Sequence, residues 1–237
     1  PEALTRHYLD GISARTGLIF CVEAVDVVLL PVPSIAVSNA SVRGKDLHFS
    51  VAYATLRPDF LALLRGDFVP RNISLLRPKL GGALPLPLGD MDALAARLRG
   101  NGGGLPDLPD GCRMTIVQGE AELIGTDGAH LQLSGLQCRL DTEAPAVVSG
   151  RVHLGAVLLR RQGAPLIRLD NFLAEGESDL RTPLTATPKL RLSGSLRWPP
   201  FLERFNMALD LQGGATGWTA RADLRGELAK DRESLPF

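Results

Sequence analysis

Two periodicities divide the chain. Leu4, Tyr8 and Ile12 recur every fourth residue, and Gly17 follows where a left-handed cap belongs. That spacing predicts a helix from about Glu2 to Arg15. From Leu18 the period changes to two. GLIFCVEAVDVVLLP, SIAVSNASV, LHFSVAYATL and DFVPRNISLLRPKL each read as strand. RPDFLALLRG, between the last two, reads as a short helix, with Pro58 tolerated in its first turn and Gly66 at its stop. Within the connection 81–111, Met91, Leu94 and Leu98 share a face behind Asp90 as N-cap, predicting a second short helix from Met91 to Arg99. NGGG after it reads as a flexible tip.

The remainder predicts repeated hairpins over 112–237. CRMTIVQGEAELIG and AHLQLSGLQCRLD flank a TDG turn, and RVHLGAVLLRRQ and APLIRLDNFLAEGE flank Gln162-Gly163. The alternation is then clean. Leu190, Leu192, Gly194, Leu196 and Trp198 form one face of KLRLSGSLRW, opposite Lys189, Arg191, Ser193, Ser195 and Arg197. Phe205, Met207, Leu209 and Leu211 share a face, as do Trp218, Ala220, Ala222 and Leu224. Strict alternation means one dry face and one wet face, the mark of an antiparallel sheet solvated on one side.

About eleven such strands must bury a dry face against something. A sandwich, a closed barrel, helices or an open trough holding lipid would each do so. A repeat favours curvature. IAVSNASV (35–42), LQLSGLQC (131–138) and IRLDNFLA (167–174) each run apolar-x-apolar, then Ser or Asp, then Asn or Gly, then alternation in the other phase. A one-residue slip turns a strand inside out unless a bulge absorbs it. Asn and Gly tolerate the left-handed backbone a bulge needs. The reading predicts the same kink at Asn39, Gly135 and Asn171. It also makes LLPVPSIAVSNASV two strands joined at a proline corner, because proline cannot donate to a ladder.

Composition narrows the functions. Hydrophobic residues make up 45% and charged residues 22%, which excludes disorder, and the net charge of +0 removes the usual case for nucleic acid. Cys21, Cys112 and Cys138 are too few for a disulfide scaffold, though Cys112 and Cys138 could bridge neighbouring strands. His7, His48, His130 and His153 are scattered, and no nucleophile elbow, P-loop or dinucleotide fingerprint is present. Glu120 and Glu122 share a strand face, which reads as solvated surface before it reads as a metal or acid–base pair. No catalytic residue, metal ligand or cofactor is assigned, and the protein is expected not to be an enzyme.

The N-terminal third resembles the AsmA family. The ordered elements are a helix ending in ARTG (14–17), a strand, LLPVPSIAVSNASV, a strand, and RPDFLALLRGDFVPRNISLLRPKL. The match covers about residues 1–80, best over 18–80, and is looser from 112 on, where it rests on repeated L-x-L-x-[NG]-L units. The resemblance implies a periplasmic protein of Gram-negative bacteria, tethered to the inner membrane by an N-terminal anchor that would precede Pro1. It also implies likeness to bridge-like lipid transfer proteins, phospholipid traffic toward the outer membrane, and support of outer-membrane integrity.

Together these readings give a single, mainly β, elongated domain over 1–237. Its strongly curved antiparallel sheet forms an open groove, a half-pipe, with the N-terminal helix and two short helices near one end. The expected lining for phospholipid acyl chains is Leu131, Leu133, Leu190, Leu192, Leu196, Trp198, Phe205, Met207, Leu209, Leu211, Trp218 and Leu224. The alternative is a periplasmic assembly scaffold for outer-membrane biogenesis that binds a periplasmic or outer-membrane protein partner.

Overall fold

Alternating sequence becomes strand almost throughout. A computed structural model of the chain describes residues 18–28, 32–84, 109–144, 147–161, 166–179, 189–198, 202–214 and 217–228. The helices expected over 2–15 and 91–99, and the turn at Gln162-Gly163, lie outside them. In order come β1 (Ile19–Cys21), β2 (Ala24–Val28), β3 (Ser34–Arg43), β4 (Leu47–Pro58), α1 (Phe60–Leu64), β5 (Pro70–Leu76) and β6 (Lys79–Ala83). Then follow β7 (Arg113–Ile124), β8 (His130–Ala144), β9 (Val147–Arg160), β10 (Ile167–Asp179), β11 (Lys189–Trp198), β12 (Leu202–Gly214) and β13 (Gly217–Leu228).

All thirteen join one sheet, ordered β1-β3-β4-β5-β7-β8-β9-β10-β11-β12-β13. β1 and β2 both pair with β3 in a single register, so they are one edge line interrupted at Val22-Glu23. β5 and β6 likewise share one register on β4 and another on β7, interrupted at Arg77-Pro78. Val28 stands opposite Ser34, so the chain reverses between β2 and β3 as the prolines predict.

One expectation is corrected. The sheet is mixed, because β5 and β6 run parallel to β7. A parallel neighbour cannot be reached by a hairpin, so β6 and β7 need a long connection between them. Its far end is tied down beside β8. Thr142 is buried; its hydroxyl accepts from the Cys112 N–H at 2.8 Å and lies 2.8 Å from the Pro109 carbonyl. Gly111 N–H donates to the Thr142 carbonyl at 2.7 Å.

The expected kinks are present. Asn39, Gly135 and Asn171 have φ of 47°, 67° and 49°. Two more residues join them, Arg77 at 51° and Gln118 at 57°. The registers place all five in one line across the sheet. Asn39 falls between the Ser38–Tyr53 and Ala40–Val51 pairs. Arg77 falls between Leu76–Val117 and Lys79–Glu120, beside Gln118. Gly135 falls between Ser134–Ala156 and Gln137–His153, and Asn171 between Asp170–Ala156 and Phe172–Leu154. Local bonds hold the line. Arg77 N–H donates to the Val117 carbonyl at 2.8 Å and its Nε to Gln118 Oε1 at 3.1 Å, while Asn39 Nδ2 donates to Glu23. At Gly135 the backbones come close. A Cβ there would lie 3.3 Å from the Gly155 Cα, in a conformation that side chains resist.

The kink line keeps the faces separate. On β8, Leu131 and Leu133 before it lie on the same side as Leu136, Cys138 and Leu140 after it, as the burial pattern shows. Since neighbouring strands shift at the same latitude, one side of the sheet stays apolar from end to end.

Candidate functional site

The residues expected to line a groove fall at register positions on one side of the sheet. Leu131 and Leu133 lie opposite Leu159 and Val157. Leu192 and Leu196 lie opposite Leu209 and Phe205, and Met207 and Leu209 opposite Leu224 and Ala222. Leu190 pairs with Leu211, and Trp198 and Trp218 occupy positions of the same parity near strand ends. Leu131, Leu133, Leu192, Leu196, Phe205, Met207 and Leu209 are half-buried, while Trp198 and Leu224 are exposed.

The apolar side extends beyond the twelve expected residues. Ile35, Val37, Ala40 and Val42 on β3 belong to it, as do Ile73 and Leu75 on β5 and Met114 and Ile116 on β7. Val152, Leu154, Val157 and Leu159 on β9 join them, with Ile167, Leu169 and Phe172 on β10. The alternation that marks β11–β13 marks these strands too, once the phase is allowed to shift at each kink.

Little among the described residues covers this surface. Among the described residues the buried hydrophobic side chains are Val51, Cys112, Leu123, Ala129 and Cys138. A cluster of Leu123 and Ala129, with Leu84, Leu131 and Leu159 against it, is the one compact core among the described residues. The helix α1 contributes no buried residue.

The opposite side is charged and carries an open cavity of about 1120 Å³, which Ile116, Cys138 and Ala220 of the apolar side also border. None of the expected lining residues whose side chains are described borders that cavity. One row of directly opposed residues crosses it from β7 to β13: Thr115, Arg139, Arg151, Glu175, Arg191, Asp210 and Arg221. Arg139 and Arg151 are like charges face to face, which alone would be unfavourable. Each is neutralised sideways, Arg139 by Asp141 at 2.8 Å and Arg151 by Glu175. Arg191 holds Asp210 at 2.8 Å, and that carboxylate's hydrogen bond pushes the guanidinium pKa up. Burial alone would raise the Asp141 carboxyl. Hydrogen bonds from Arg113 and Arg139 outweigh it and hold the group below its ordinary value. Four arginines thus face Asp141, Glu175, Glu177 and Asp210, a balanced set with no excess charge to select an ion.

Beside the kink at Asn171 a smaller cavity of about 320 Å³ is lined by Arg168, Asp170, Ser195 and Arg197. Asp170 bridges the two arginines at 2.7 and 3.5 Å.

The other candidate groups do not converge. No group of three or more His, Cys, Asp or Glu among the described residues could hold a metal. Glu120 pairs with Lys79 at 2.9 Å on the charged side. All three cysteines are free, so Cys112 and Cys138 are not bridged; burial pushes both thiols up in pKa, which makes them poor nucleophiles. No helix among the described residues is long and apolar enough to cross a membrane. No family model, curated protein or solved structure matches the chain.

Proposed function

We propose that the protein binds phospholipid acyl chains along the apolar side of its sheet and passes them on without a chemical step. The observation that carries this reading is one continuous apolar side, across every strand of the sheet, left without a second layer among the described residues. Apolar surface is held in water only at a cost, about 25 cal/mol per Å². Acyl chains would relieve it through non-directional contact that permits sliding. Stacked bulges bend a sheet, and in this reading the acyl chains lie along its apolar side, outside the hollow that the charged row borders. Strands about 4.8 Å apart, eleven deep, give a path on the order of 50 Å.

The site is then the apolar side, and the charged cavity behind it is framework. The AsmA resemblance of residues 1–80 supports a periplasmic setting and an inner-membrane tether, with lipid traffic toward the outer membrane. A second reading, a scaffold for a protein partner, draws support from the edge strand β13. Its exposed Thr219–Gly226 segment has no neighbour beyond it among the described residues, a surface other strands can join.

Organic extraction of the purified protein followed by mass spectrometry tests the proposal. Phospholipid in stoichiometric amount is expected. Leu192→Arg should cut it at least about tenfold with the circular dichroism spectrum unchanged, because an unpaired charge disfavours apolar contact. Lipid-free wild type, or a Leu192→Arg chain that unfolds because the face is a closed core, would refute it.

A further inference from the structure

The sheet ends in two unlike edges. The line β1–β2 is broken at Val22-Glu23 into pieces of three and five residues, and Glu23 is bonded to Asn39. Short, interrupted strands are how natural sheets blunt an edge. The edge β13 has no such device. It runs twelve residues, Gly217–Leu228, without proline, lysine or a residue at positive φ. Its neighbour among the described residues is β12 alone, and Thr219–Gly226 is exposed throughout.

The charges on β13 alternate in sign. Arg221, Asp223, Arg225 and Glu227 take successive positions on the charged side, opposite Asp210, Ala208, Asn206 and Arg204 of β12. The described side chains of this row are loosely held. Asp210 is engaged by Arg191, and Arg221 forms no ion pair among the described residues. Asp223 and Arg225 meet at 3.3 Å along the strand, with side chains 63% and 81% exposed.

We propose that β13 pairs antiparallel with β13 of a second copy, about a two-fold axis at Leu224, and carries the sheet across the dimer. A row that reads plus, minus, plus, minus is complementary to its own reverse. Parallel pairing of the same two edges would turn one copy over and set its charged side beside the other's apolar side. In antiparallel pairing opposed residues share a side, so the axis falls at a residue and not between two. The charges choose which. About Leu224, Arg221 stands opposite Glu227 and Asp223 opposite Arg225, each twice by symmetry. About Asp223, that carboxylate would meet itself and Arg221 would meet Arg225. About Ala222, Arg225 would fall against Thr219, and about Arg225, Asp223 would meet Glu227. Opposite charges directly across a ladder stabilise it and like charges destabilise it. The axis at Leu224 also sets Leu224 against its mate and Ala222 against Gly226, so the apolar side runs on from one copy to the other. Main-chain hydrogen bonds supply the attraction, and the charge row fixes the register. This inference stands apart from acyl-chain binding, and it commits to a second copy the edge named above for a protein partner.

Size exclusion of the full chain with light scattering, over a range of concentrations, tests it. The wild type should run as a dimer. Arg221→Glu with Arg225→Glu makes the row wholly acidic, and Asp223→Arg with Glu227→Arg makes it wholly basic. Each pair of substitutions should raise the dissociation constant at least about tenfold, because every opposed pair becomes like-charged. An equimolar mixture of the two variants should recover the dimer. The exposed native thiol is Cys21. In a Cys21→Ser background, Leu224→Cys should cross-link to its mate on oxidation, and Ala222→Cys, opposite Gly226, should not. A monomeric wild type overturns the inference; phospholipid measured in the same sample keeps that failure distinct from failure of acyl-chain binding. Undiminished dimerisation of both charge variants, a mixture that stays monomeric, or cross-linking at Ala222→Cys in preference to Leu224→Cys overturns it as well.

Discussion

The two sides of the sheet are stabilised by different means. The charged side satisfies itself. Its acids are bonded laterally to arginines, Asp141 by Arg113 and Arg139, Asp170 by Arg168 and Arg197, Glu175 by Arg151. The apolar side satisfies itself only at the Leu123–Ala129 cluster and at a few buried positions such as Val51 and Cys138. Elsewhere its side chains lean on their cross-strand neighbours and stop. Stability among the described residues comes from the ladder, from same-face pairs and from the small Leu123–Ala129 core, and the exposed remainder is the surface proposed to take acyl chains.

That contrast has a direct mechanical test within the apolar side. Leu123→Ala removes a buried side chain from the cluster and should cost about 2–4 kcal/mol in denaturant unfolding. Leu224→Ala, at 58% exposure on β13, should change stability by under about 0.5 kcal/mol. Comparable losses at the two positions would mean that the whole face is covered and that the separation between core and open surface is wrong.

A second test attacks the device that keeps the sides apart. Asn171 holds φ 49° at the point where β10 gains a residue against β11, between Asp170 and Leu173. Asn171→Val should destabilise by about 1–3 kcal/mol, since a β-branched residue resists that conformation. Asn171→Gly should stay within about 1 kcal/mol of the wild type. If valine were tolerated as well as glycine, the kink would not be what preserves the phase of Leu169 and Phe172.

Much of this arrangement was legible in the residues. The phase shifts of β3, β8 and β10 are written in Ser-Asn, Ser-Gly and Asp-Asn pairs, whose side chains suit left-handed backbone. The stop of α1 at Gly66 and the reversal at the prolines were legible for similar reasons. Arg77 and Gln118 were not, because neither residue type favours positive φ. They adopt it where the line set by their neighbours crosses them, and their side chains bond each other there. The parallel joint was hidden because a return across the sheet leaves no local signature. Which side carries the open cavity depends on how the twisted strands turn together, and alternation alone carries no sign for that. The exposure of FLALL was equally invisible, since a helix pattern does not say whether anything lies against it.

The smallest expected effect separates the two sides by their response to acid. Asp141 has a carboxyl held below its ordinary value by Arg113 and Arg139. A carboxylate with a depressed folded pKa contributes stability that is complete above its unfolded pKa, about 3.9, and is lost as pH falls through the folded value. Asp141→Asn removes the charge but keeps the shape. The substitution should therefore lower the melting temperature modestly at neutral pH, and the gap to the wild type should close as the pH drops below about 4. Leu123→Ala, on the side without charges, should show the same deficit at both pH values. A gap at Asp141 that persists unchanged in acid would mean that the carboxyl acts through shape and hydrogen bonding alone, and that its arginine neighbours contribute no charge-dependent stability.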